Sequence, residues 1–185
     1  MGFKWSGVAF GESGSVHVLG GVGGVEPGED MDVPVETELC IAELPNNWIL
    51  ICAEDFMYAA PDESFPDEGN MARLSAKGRV LGCMFHEGIM CSVASMYEYG
   101  KELWCVIYNC NDEEYNLRTS ETLPDNFEAV YERLKADQDK FDLAGKPVDA
   151  LFDIPIEIAF QICGYKYDLA EFEWGEPKFT MVELK

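Results

Sequence analysis

The residues with chemistry to offer are few and unevenly spread. His17 and His86 are the only imidazoles in the chain, and so the only ordinary candidates for a proton-exchanging base near neutral pH. Around the second, Cys83-Met84-Phe85-His86 and Cys91 place three soft or borderline metal ligands within nine positions. On a hairpin, Cys83 and Cys91 would face each other with His86 near the turn. Structural zinc needs a second close-spaced pair, which only the distant Cys105 or Cys110 could supply. The same stretch offers a Cys–His nucleophile, from Cys83 or Cys91 with His86, or a serine version from Ser92 or Ser95. An enzyme site assembled here would centre on Cys83, His86 and Glu87. Thiols inside apolar strands are ordinarily inert, and no local catalytic signature surrounds these. Core thiols beside a turn histidine are therefore the expectation, with no metal bound and no catalytic role.

Phosphate chemistry has one candidate, Gly20-Gly21-Val22-Gly23-Gly24. It lacks the Lys of a P-loop and the strand–helix setting of a dinucleotide fingerprint. Glu26-Pro27-Gly28-Glu29-Asp30 follows it, and the next cation is Arg73. That charge repels phosphate, so no nucleotide or other cofactor is expected. Asp30-Met31-Asp32 and Asn111-Asp112-Glu113-Glu114 lack the ligand order of a calcium loop.

What must position these residues reads as an α+β fold, an antiparallel meander with two C-terminal helices packed on it. Thr37, Leu39 and Ile41 alternate with Glu36, Glu38 and Cys40, giving a half-buried strand over Glu36–Leu44. Pro45-Asn46-Asn47 turns the chain into the apolar run Trp48–Ala53, and Arg79–Phe85, Ile89–Tyr97 and Leu103–Tyr108 are further strand candidates joined by short turns. After Pro124-Asp125-Asn126 the period becomes helical, with Phe127, Val130, Tyr131, Leu134 and Phe141 on one face. A second helix opens at Asp153, with Pro155 in its first turn and Gly164 as its stop. One domain spans residues 1–185, with a Gly-rich acidic loop at about 20–33 and a second acidic loop at Pro61–Gly69, and Phe179–Leu184 either adds an edge strand or remains a flexible tail from about 175.

The strongest signal is charge. Among 185 residues, 35 Asp and Glu face 13 Lys and Arg, a formal net charge of −22. Nucleic-acid binding needs clustered cations, as does docking on an anionic membrane, so neither partner is expected. The 48% hydrophobic content supplies a core and excludes a disordered chain. Seven cysteines, an odd number with no C-x-x-C pair, point to reduced thiols and a cytoplasmic location. From Trp5 to Ala72 there is no Lys or Arg at all, against fourteen Asp and Glu.

In size, acidity and the lack of a catalytic motif, the chain resembles the small acidic bacterial immunity proteins of toxin–immunity pairs. That resemblance implies a cytosolic inhibitor that neutralises a basic protein, a toxin or a nuclease. Its contact residues would be Glu26, Glu29, Asp30 and Asp32 of the first acidic loop and Asp62, Glu63, Asp67 and Glu68 of the second. Tyr167 and Trp174, in the aromatic and acidic stretch after Gly164, would be anchors. A related alternative is mimicry of nucleic acid, with carboxylates standing in for phosphates in a nuclease, restriction or CRISPR channel.

Overall fold

The computed structural model describes residues 4–11, 25–31, 39–53, 68–110 and 117–184. They form one nine-stranded sheet in which every pairing is antiparallel. The strands are β1 (Lys4–Phe10), β2 (Val25–Met31), β3 (Cys40–Glu43), β4 (Ile49–Ala53), β5 (Arg79–His86), β6 (Cys91–Glu98), β7 (Lys101–Asn109), β8 (Leu117–Thr119) and β9 (Phe179–Leu184). Their spatial order is β2-β9-β3-β4-β1-β5-β6-β7-β8. The consecutive run from β5 to β7 is the expected meander, which β8 extends by one strand. Three helices accompany the sheet: α1 (Glu68–Leu74), α2 (Phe127–Leu143) and α3 (Ile154–Cys163). No described helix is long and apolar enough to cross a membrane.

The centre of the sheet is β1, which sequence pattern alone did not mark as a strand. Its glycine explains both the silence of the signal and the packing. A Cβ on Gly7 would lie 2.4 Å from the Trp5 ring and 3.1 Å from Leu50. The missing side chain is what lets Trp5 fold back over its own strand, so the position needs Gly where a strand pattern would show an apolar residue. β1 then joins the meander half, through β5, to the other half, through β4.

Two further expectations change. The acidic segment at 20–33 is not all loop, because Val25–Met31 is an edge strand with a register shift between Pro27 and Asp30. Charge, Pro and a bulge on an edge strand discourage another chain from pairing there. Of the two readings of the segment from about 175, the strand forms, but inside the sheet and not at its edge. Phe179–Leu184 pairs with β2 on one side and β3 on the other, and Phe179 is 1% exposed.

Alternation puts the two faces to different uses. One face presents Trp5, Ala9, Leu50, Leu81, Phe85, Met96 and Tyr108 to α2 and α3, which answer with Phe127, Val130, Leu134, Ile154 and Ile158. Pro at the start of α3 and Gly164 in the left-handed region at its end (φ 81°) bound that helix as its sequence predicts. Ser92, wholly buried on β6, donates its hydroxyl to the Phe152 carbonyl at 2.6 Å and ties the sheet to the turn leading into α3. The other face carries Val8, Phe10, Ile49, Ile51, Val80 and Tyr97 around Met71 of α1. The bare Cα of Gly82 makes room for it, since a Cβ there would sit 2.9 Å from Met71 Cε.

Candidate functional site

The segment after α3 assembles on an aromatic base. Phe85 on β5 stacks with Trp5 at 5.9 Å between centroids and with Tyr167 at 4.1 Å. Tyr165 stacks on Phe172 at 5.7 Å, and Phe172 leads to Trp174 at 5.2 Å. The Trp174 indole N–H donates to the Gly164 carbonyl at 3.0 Å, capping an acceptor that α3 leaves open at its end. Tyr167 donates to Glu87 at 3.4 Å. Burial, and then the negative charges of Asp168 and Glu87, push the Tyr167 hydroxyl well above its ordinary value.

A charge network fixes the same segment to α3. Lys166 is only 11% exposed and pairs with Glu157 at 2.8 Å and with Asp168 at 3.4 Å, while Arg133 of α2 reaches Glu157 at 2.6 Å. Burial alone would lower Lys166, but the hydrogen bond and charge of Glu157, with Asp168 and Asp153 behind it, leave it raised. Asp153 is raised by burial, against the pull of Lys166. The segment is thus held at both ends.

With Tyr165, Tyr167 and Phe172 packed inward, most of what faces out is carboxylate. Asp168, Glu171, Glu173 and Glu176 are exposed. Of these, Glu171, Glu173 and Glu176 make no ion pair or hydrogen bond among the described residues. Leu169 and Trp174, 39% and 37% exposed, give the surface some apolar area. Sequence reading singled out Tyr167 and Trp174 here and passed over Leu169 and the three glutamates. The signal available was the alternation Glu171-Phe172-Glu173-Trp174, in which only Phe172 is drawn inward.

The other sequence candidates fall elsewhere. Glu26, Glu29 and Asp30 lie on the edge strand β2, and Glu68 is the first residue of α1. Asp32, Asp62, Glu63 and Asp67 lie outside the described residues, as does His17. Cys83, His86 and Cys91 do not converge. His86 and Cys91 are directly opposed on β5 and β6, whereas Cys83, an odd number of residues from His86, packs against the α2–α3 face. Among the described residues, no group of three or more His, Cys, Asp or Glu is placed to hold a metal ion. The pleat of β5 separates the thiol from the imidazole in the Cys83–His86 pair. Burial, and then neighbouring Cys163, push the Cys83 thiol far up, and burial takes Cys163 to about 11. Neither is a thiolate at neutral pH. His86 Nδ1 is buried without a hydrogen-bond partner.

A gap remains between α3 and the sheet, lined by Trp5, Cys83, Phe85, Cys163, Tyr165 and Tyr167. Its free volume of about 20 Å³ holds roughly one water. It is a packing gap, too small for a metabolite. Comparison with known proteins adds no assignment, since no family model, curated protein or solved structure matches the chain.

Proposed function

We propose that this protein is an acidic inhibitor of the immunity type, which binds and neutralises a basic protein such as a toxin or nuclease. The observation that carries the reading is the outward face of residues 168–176. Three unpaired glutamates stand on a segment locked by the Trp174–Gly164 and Lys166–Glu157 contacts. A rigid display of unpaired carboxylates loses little conformational entropy on binding, and its field accelerates encounter with a cationic partner. Leu169 and Trp174 supply the apolar contact that a purely electrostatic surface lacks. Nucleic-acid mimicry has less support, because α2 interleaves Arg133, Lys135 and Lys140 among its acids and offers no ladder of one sign.

The test is affinity capture from native lysate at about 50 mM and about 500 mM salt, the range over which screening between exposed charges collapses. The wild-type chain should retain a basic protein at low salt and release it at high salt. The triple variant Glu171→Gln, Glu173→Gln, Glu176→Gln should retain markedly less of it. Recovery of no salt-sensitive basic partner, or equal recovery by the variant, would refute the assignment of this surface.

A further inference from the structure

At one end of the sheet, the chain's scarce cations line a groove. It runs between the turn at Pro45–Asn47, the end of β1, the start of β5 and the β6–β7 turn. Trp48 lies along it, its ring 3.3 Å from where a Cβ on Gly11 would stand. Lys77, Arg79, Glu98, Asn46 and Tyr99 complete the lining. The free volume is about 360 Å³, within the range of small-molecule sites at roughly 300–1,000 Å³. Arg79 donates through Nε to Glu98 at 2.8 Å, which fixes the guanidinium and leaves its terminal nitrogens uncommitted. Among the described residues, Lys77 makes no ion pair, and the Asn46 amide and Tyr99 hydroxyl have no hydrogen-bond partner.

Tyr99 is the informative residue. With φ 49° at Tyr99 and 78° at Gly100, the β6–β7 connection is the two-residue turn that favours Asn-Gly. A bulky side chain in that left-handed position costs about 1 kcal/mol. No core packing offsets it, because Tyr99 is 68% exposed. The turn is nevertheless held firmly. The Ser75 hydroxyl accepts from the Gly100 N–H and donates to the Ala72 carbonyl, both at 3.2 Å. A local rule broken without a folding gain, on a braced backbone beside a cavity, marks a functional position.

We propose that this groove binds a small monoanion in which a carboxylate is attached to a flat ring. Lys77 and the terminal nitrogens of Arg79 would take the carboxylate, and Tyr99 and Trp48 the ring. Charge selects the class: two cations less Glu98 leave one net positive charge in the groove. A monoanion neutralises that, whereas a phosphate dianion would add an uncompensated charge to a chain already at −22.

The experiment titrates 4-hydroxybenzoate into the ¹⁵N-labelled full chain and follows the Gly11, Gly78 and Gly100 amides. Saturable shifts are expected, with a dissociation constant of roughly 1 mM or tighter for a ligand this small. The uncharged 4-hydroxybenzyl alcohol and inorganic phosphate should bind at least about tenfold more weakly, as should 4-hydroxybenzoate to Lys77→Met, given the strength of charge-assisted hydrogen bonds. Tyr99→Asn should raise Tm by relieving the turn while weakening binding roughly threefold or more through the lost ring contact. That opposition is one a purely structural tyrosine would not produce. Non-saturating shifts, equal binding of the alcohol or of phosphate, or unchanged affinity in Tyr99→Asn would overturn the proposal.

Discussion

Ser92 is where a chemical and a mechanical reading of one residue part most clearly. By type it is a nucleophile candidate, yet its hydroxyl is wholly buried and donates 2.6 Å to the Phe152 carbonyl, across 60 positions of sequence. Ser92→Ala removes the donor and leaves that carbonyl facing an apolar interior. An intramolecular hydrogen bond contributes only about 1 kcal/mol net, but orphaning a buried partner costs about 1–3 kcal/mol. Little cavity term is added, because a single oxygen is lost. In a chain of this length each kcal/mol lowers Tm by roughly 2–4 °C, so a drop of about 2–12 °C is expected. Urea unfolding followed by Trp fluorescence should show a lower midpoint at an unchanged m-value, since the surface exposed on unfolding stays the same. Retention of the salt-sensitive partner by folded Ser92→Ala would agree with a clamp. A loss of stability below about 0.5 kcal/mol would show that the carbonyl is satisfied in another way and refute the reasoning.

Two other outcomes follow from burial. Asp153 has its folded pKa raised, chiefly by desolvation. The stability its protonated form contributes is present below the unfolded value of about 3.9 and is lost as pH rises through the folded one. At pH 7 the ionised carboxylate is a net cost, so Asp153→Asn should raise Tm by a few degrees there and lose that advantage below about pH 3.5; an equal gain at both pH values would contradict this. Among the seven cysteines only Cys110 is exposed. Iodoacetamide under native conditions should alkylate Cys110 first, with Cys163 labelled only on unfolding, and mass spectrometry of rapid labelling at Cys163 would count against its placement.

The fold was legible where period and punctuation agree. The run from Phe127 to Phe141 repeats at helical spacing behind an Asn, and Pro155 and Gly164 bracket a short apolar helix; both elements form where these signals place them. The meander was legible for a similar reason, since its turns are short and local. β1, β8, β9 and α1 were obscured by different causes. Gly7 interrupts the apolar pattern of β1, and its reason is the Trp5 ring, visible only in three dimensions. α1 and β8 are seven and three residues long, too short to show a period. β9 could be read as an edge strand or a tail, and only its long-range pairing with β2 and β3 decides for an inner strand.

By itself the sequence determined the charge, the absence of any C-x-x-C pair and the α+β class, because these depend on composition and near-neighbour spacing. The tertiary structure decided which chemistry can be brought together. It placed Cys83 on one face of β5 and His86 on the other, a consequence of strand pleat that separates residues three apart. It packed Tyr167 against Phe85 and laid Trp174 on Phe172 with part of its ring still exposed, and left Glu171, Glu173 and Glu176 outward, because the aromatic rings gain more from these contacts than from water. It also gathered Lys77, Arg79 and Tyr99 from separate elements into one groove. No linear reading holds that information, since the residues meet only when antiparallel strands bring their turns to the same end of the sheet.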